Sequence, residues 1–148
     1  ELTQLSRQLV ALVRELNQEH SRAVPLLIKI APDMDADQIR QIADTLVEAG
    51  VDGVIATNTT LERDAVQGLK HAEEQGGLSG APVRDISTAV IRQLKDHLQG
   101  AIPIIGVGGI ESAEQAQEKI EAGADLVQIY TGFIYRGPKM ISEIARAL

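Results

Sequence analysis

Apolar residues recur along this 148-residue chain in two alternating rhythms. Leu2, Leu5, Leu9, Leu12, Val13 and Leu16 fall mostly three and four apart, which predicts an opening amphipathic helix with that stripe buried. The rhythm then becomes continuous: "VPLLIKIAP", bracketed by Pro25 and Pro32, predicts a strand buried on both faces. In "DMDADQIRQIADTLVEAG" the helical spacing returns, with Asp35 or Asp37 as N-cap, Ile39, Ile42, Ala43, Leu46 and Val47 as the buried face, and Gly50 as the stop. A second strand, "VDGVIATNTT", precedes a polar, glycine-rich insertion ending in "HAEEQGGLSGAP". Then come a helix in "ISTAVIRQLKDHLQG", a strand in "IPIIGVGG", and a helix in "SAEQAQEKIEAG" with Ser112 and Gln115 at capping-box spacing. A strand in "ADLVQIYTGF" and a short helix in "KMISEIARAL" close the sequence.

Strands that alternate with helices pair in parallel through right-handed crossovers, so the pattern predicts one α/β domain over residues 1–148 and no second one. The chain also repeats itself. "EAGVDGVIATN" and "EAGADLVQIYTG" share Glu-Ala-Gly-x-Asp, and "PLLIKI" resembles "PIIGVG". A βα repeat of this kind suits an open doubly wound sheet or a section of a (β/α) barrel.

Composition narrows the partners. With 21 acidic against 14 basic side chains, the net charge of −7 disfavours nucleic acid. The absence of cysteine excludes disulfides and thiolate metal sites, and His20, His71 and His97 lack metal-ligand spacing, so no metal is expected. No apolar run approaches the length of a membrane helix.

Chemistry in both architectures gathers at the carboxyl ends of the strands. Every predicted strand here ends unusually: in Lys29, in Thr57 to Thr60, in Gly106, Gly108 and Gly109, and in Tyr130, Thr131 and Gly132. Glycines just before a helix expose backbone N–H groups to an anion; they equally suit tight strand–helix packing. The spacing is neither the dinucleotide fingerprint nor a P-loop, since Glu111 stands where the last glycine of G-x-G-x-x-G belongs. Lys29, deep in an apolar run, either snorkels to solvent or points inward at an anionic ligand. Thr57, Asn58, Thr59 and Thr60 either cap the next helix or supply donors and acceptors to a flat heterocycle. Asp33 reads as a turn residue and Arg63 as a solvated charge, while Tyr130, Phe133 and Tyr135 read as packing beneath the glycine loop.

"IKIAPD", "GVIATNTT", "GGLSG", "IPIIGVGGI" and "LVQIYTGFIYRGP", in that order, resemble the carboxyl-terminal half of the dihydroorotate dehydrogenases, FMN flavoproteins of pyrimidine synthesis. "ATNTT" and "YTGFIYRGP" resemble the quinone-dependent, membrane-associated class in particular. The resemblance implies a (β/α)8 TIM-barrel fold, of which this chain would hold about the last four βα units, a half-barrel with parallel strands. It implies FMN contacts from Lys29, Thr57, Gly80, Gly109, Tyr130 and Thr131, with Lys29 beside the flavin's pyrimidine end, where its charge meets the negative charge gained with hydride. Asn58 and Thr59 would bind the dihydroorotate or orotate ring. The serine base of the class is expected on a loop preceding the strands present here, so no catalytic residue is assigned, and Ser79 is not that serine.

The resemblance further implies oxidation of dihydroorotate to orotate, electron transfer to a quinone through an amino-terminal helical segment, and a peripheral membrane protein of the bacterial or mitochondrial inner membrane. A half-barrel alone would leave two sheet edges unpaired and an inner face uncovered, so these residues by themselves are expected to self-associate or rearrange as an open sheet, and not to turn over dihydroorotate. Two other readings stand beside this one: a phosphosugar-binding barrel enzyme, and a non-catalytic half-barrel that only folds or binds flavin.

Overall fold

A computed structural model describes residues 2–148. Helix α1 (Leu2–Glu19) is followed by β1 (Leu27–Ile30), α2 (Ala36–Ala49), β2 (Gly53–Ala56), α3 (Arg84–Leu98), β3 (Ile104–Val107), α4 (Ala113–Glu121) and β4 (Leu126–Gln128). Two helices, α5 (Thr131–Arg136) and α6 (Lys139–Ala147), end the chain, and single 3-10 turns occupy Asp64–Val66 and Ala81–Val83. The strands form one parallel sheet in the order β1-β2-β3-β4. Strand order that follows chain order without reversal, with crossovers of one hand, keeps every connecting helix on the same face. This is the winding of a barrel section; a doubly wound sheet reverses direction.

The register sorts the strand residues into two faces. Ile30, Ala56, Gly106 and Val127 share one row on the helix side, and Ile28, Val54 and Ile104 share another. Against them pack Ile39, Ala43 and Leu46 of α2 and Ile91 and Leu94 of α3, all fully buried. Each such isoleucine or leucine contributes about 1.5–3 kcal/mol. Lys29, Ile55, Ile105 and Leu126 form a row on the opposite face, which no described residue covers: Lys29 is exposed and Leu126 is 62% exposed. The expectation that β1 is buried on both faces is therefore corrected, because all the crossover helices lie on one side.

Local signals act largely as the sequence predicts. Asp35 caps α2 in a full capping box with Gln38, and Gly50 ends the helix in the left-handed region at φ 75°. At α4, Ser112 Oγ accepts from the Gln115 N–H at 3.3 Å, but the Gln115 side-chain oxygen Oε1 accepts from the Glu111 N–H, not from that of Ser112. The expected reciprocal box is thus displaced by one residue. The leucine stripe of α1 is also corrected: Ser6 and Val10 are buried, whereas Leu5, Leu12 and Leu16 are exposed. Ser6, Val10 and Val13 lie roughly a quarter turn around the helix from the leucines, and α1 packs on α2. No helix among the described residues is long and apolar enough to cross a membrane.

The internal repeat proves to be a paired hydrogen-bond clamp. Asp52 N–H donates to the Leu26 carbonyl at 2.9 Å while its carboxylate accepts from the Leu26 N–H at 2.7 Å. Asp125 and Ile104 make the same exchange at 2.8 Å in each direction. In each copy the aspartate that starts one strand anchors the first residues of the strand beside it.

Candidate functional site

The carboxyl ends of all four strands surround one cavity of about 220 Å3. Lys29, Thr57, Asn58, Thr59, Gly80, Gly109, Tyr130 and Thr131, the eight positions singled out in the sequence, all line it. Each arrives from a different local cause.

Lys29 stands on the open face of β1, one position before the strand ends. Thr57 directly follows β2; it is buried, its N–H donates to the Val107 carbonyl at 3.0 Å, and its hydroxyl donates to the Asn58 carbonyl at 2.8 Å. The Ala56–Thr57 peptide is cis. Asn58 is anchored through its N–H on the Ile30 carbonyl at 2.7 Å, and its side-chain oxygen accepts from Thr59 N–H, leaving the side-chain NH2 free. Thr60 turns away: its hydroxyl donates to Asp33, whose second oxygen accepts from Leu61 N–H at 2.7 Å. Thr60 therefore belongs to the scaffold of the loop, and Asp33 is its anchor rather than a plain turn residue.

The insertion after Thr60 folds back as a lid edge. Thr60 and Leu78 exchange backbone hydrogen bonds at 3.0 and 2.8 Å. Arg63 donates to the carbonyls of Thr60, Glu62, Glu74 and Gly76, so it is the internal tie of this segment and not a solvated charge. A Cβ at Gly77 would come within 1.8 Å of Thr59 Oγ1, so only glycine lets the returning strand approach. Across the cavity, Thr131 and Ser79 are joined hydroxyl to hydroxyl at 2.9 Å.

The glycine loop answers to both readings of the sequence. Gly109, at φ 66°, would place a Cβ within 2.5 Å of Arg84 Cβ, and one at Gly106 would touch Ala124, Ile91 and Lys119. The side that lacks a Cβ therefore packs against α3 and α4, while the backbone of Gly108 and Gly109 faces the cavity. The amides of Gly109, Tyr130 and Thr131 donate to no carbonyl among the described residues. Gly132 locks the two loops together, since a Cβ there would lie 2.1 Å from the Ile110 carbonyl oxygen. Tyr130 and Tyr135 are 76% and 80% exposed, which corrects their expected packing under the loop.

Sequence reasoning missed Lys119. It is fully buried behind the glycine loop, with Nζ donating to the Arg84 carbonyl at 2.8 Å and to the Ser87 and Thr88 hydroxyls at 2.6 Å each. Burial lowers its pKa to about 8, against the opposing pull of Glu118 and Asp85.

The lining combines a cation, free backbone amides, hydroxyls and an amide side chain, and it contains no Asp or Glu. Such a donor set fits an anionic group at the two glycine-bearing loops and a polar, planar group beside Lys29 and Asn58. A phosphate-bearing heterocycle of the FMN kind meets both requirements.

The family profile described as dihydroorotate dehydrogenase matches residues 1–148. A relative from Bordetella avium named dihydroorotate dehydrogenase (quinone) is 60% identical over 148 residues, spanning all of this chain and 42% of that protein. One of the same name from Saccharophagus degradans is 63% identical over 133 residues, 90% of this chain and 39% of its own length. Among solved structures, the DHODH of Eimeria tenella in complex with ferulenol superposes with a TM-score of 0.80 at 39% identity, covering 86% of this chain and 34% of that one. The chain spans about two fifths of the length of the curated relatives it matches.

Proposed function

The chain belongs to the dihydroorotate dehydrogenase family, and from this we propose that it supplies the FMN-phosphate side and part of the orotate side of a quinone-dependent dihydroorotate dehydrogenase. The observation that carries the reading is the convergence of the eight named residues, seven from four separate strand ends and Gly80 from the segment between β2 and α3, on one cavity without a carboxylate. FMN, when bound, would supply the hydride acceptor for dihydroorotate oxidation.

The chain's own residues divide the remaining work. The free amides of Gly109, Tyr130 and Thr131 would hold the phosphate, with Gly80 admitting the cofactor beside Thr131. Lys29, exposed on the open face with only apolar neighbours in its row, would place positive charge where the reaction develops negative charge. The Asn58 NH2 and the Thr59 hydroxyl would orient the ring of dihydroorotate against the flavin, and Thr57 would close the floor between them. No base for the proton at C5 is assigned among these eight residues; that role would fall to a residue outside this set. Residues 1–148 would thus form a single domain, part of an FMN-binding barrel. Electrons would pass to a quinone at a membrane surface, with the enzyme peripheral to the bacterial or mitochondrial inner membrane.

The test is a flavin-fluorescence titration of the complete gene product carrying this sequence. Saturable FMN quenching is expected, weakened on the order of tenfold by Thr131→Glu, which sets a carboxylate among the phosphate donors. Lys29→Met is expected to keep FMN binding and slow flavin reduction by dihydroorotate on the order of a hundredfold or more. Absence of FMN binding, or full flavin reduction in the Lys29 variant, overturns the assignment.

A further inference from the structure

Lys119 is a buried cation whose three partners are all neutral oxygens. Such a group is costly to keep, and a methionine of similar length would fill the space without that cost. Its location gives it a use. Ser87, which accepts from the ammonium, has its own hydroxyl hydrogen to donate, and the carbonyls of Arg84 and Gly108 lie 3.0 and 3.5 Å away. The carbonyl of Gly108 thus faces α3. Because C=O and N–H point in opposite directions across a trans peptide, the Gly109 N–H is turned the other way, toward the cavity.

We propose that Lys119 is a positioning residue for the phosphate end of the flavin site: from behind the glycine loop it fixes, through Ser87, the peptide joining Gly108 to Gly109, and it sets a positive charge beneath the bound anion. The inference rests on the FMN reading given above. The surrounding charges do not supply that field themselves. Arg84 on α3 is paired with Asp85 at 3.2 Å and with Glu118 of α4 at 3.8 Å, and Arg92 is the remaining cation acting on Lys119 from α3. From β3 and the turn before β4, Gly106 and Ala124 approach it, and neither is charged.

A phosphate dianion over Lys119 favours its protonated form, so phosphate binding and proton binding are linked. The pKa of about 8 puts that linkage within reach of mild alkali. In the complete gene product, FMN and riboflavin, which differ by the phosphate, are titrated by fluorescence at pH 7 and pH 9. If phosphate binding raises the Lys119 pKa by about one unit, FMN affinity falls about fivefold between these values while riboflavin affinity stays level. Lys119→Met is expected to weaken FMN about tenfold at pH 7, abolish the pH slope and leave riboflavin unaffected. A pH-independent ratio of FMN to riboflavin affinity in the unaltered protein overturns the proposal, and this result needs no variant to fold. Equal FMN affinity in the Met variant overturns it as well. Failure of the FMN reading itself looks different: the unaltered protein then binds neither flavin.

Discussion

At Lys119 the cost of a buried cation to stability stands against the positioning role proposed for it. Its folded pKa of about 8 lies below the ordinary 10.5, so the unfolded chain holds this proton more tightly than the native one. The contribution to stability is therefore present in full only above pH 10.5 and is lost as pH falls through 8. At neutral pH the charged form costs on the order of 3 kcal/mol by that linkage. Removing the ammonium leaves no orphan donors, because the Thr88 hydroxyl donates to the Arg84 carbonyl at 2.8 Å and the Ser87 hydroxyl has the carbonyls of Arg84 and Gly108 within reach, at 3.0 and 3.5 Å. Lys119→Met is accordingly expected to raise the urea midpoint at pH 7, while the unaltered protein gains stability between pH 8 and pH 10 and the variant does not. Parallel pH profiles for the two would refute this account. Lys29 was legible in the sequence because a cation in the middle of an apolar strand contradicts its surroundings. Lys119 was not: in "EQAQEKIEAG" it sits among glutamates and glutamines and reads as solvated. Only the missing Cβ of Gly106, which would touch Lys119 Cβ at 3.1 Å, hints at what crosses there, and that contact is tertiary.

At the scale of elements, the two Gly-x-Asp copies do the same work in unequal surroundings. Ile104 is 2% exposed, whereas Leu26 is half-buried, so the amide served by Asp125 is further from water than the one served by Asp52. An unmet donor costs more where water cannot replace the lost partner. Asp125→Ala is expected to destabilise by about 1–3 kcal/mol and Asp52→Ala by about 1 kcal/mol or less, read from urea unfolding. Equal losses, or a larger loss at Asp52, would show that burial does not set the difference. The repeat was visible in the sequence, and so were the four strands and the caps of α2, because these depend on neighbours within a few residues. What escaped was α5: the strand read in "ADLVQIYTGF" runs through Phe133, yet β4 stops at Gln128 and the chain turns at Tyr130. The signal is tertiary: Gly132 presses against the Ile110 carbonyl, a contact between two loops that the strand-like run does not reveal. The face of α1 escaped likewise. Leucine spacing gives the period of a helix, but its neighbour α2 selects which stripe is buried.

For the whole molecule the decisive feature is the sheet face that the crossover helices leave open. Ile55, Ile105 and Leu126 lie side by side on it, Phe133 and Ile141 border the same groove, and β1 and β4 each have a single strand partner. Apolar rows next to unpaired backbone edges promote association between chains. A polypeptide of these 148 residues alone is therefore expected to self-associate, with a weight-average sedimentation coefficient that rises with concentration. Leu126→Lys tests the surface directly, because it charges an edge strand at a position already 62% exposed and so leaves the core of α2 and α3 untouched. That variant is expected to shift toward monomer with an unchanged far-ultraviolet circular dichroism spectrum. Leu12→Lys, on the exposed stripe of α1 and outside the groove on the open sheet face, is expected to change association less. A monomeric unaltered polypeptide, or a stronger effect from Leu12 than from Leu126, would shift the sticky surface from the sheet to the helix. The same row also carries Lys29, so on the proposed reading whatever covers this face would also wall the FMN cavity. Association through Leu126 should then compete with FMN, and added FMN should lower the sedimentation coefficient of the unaltered chain but not that of the Leu126 variant.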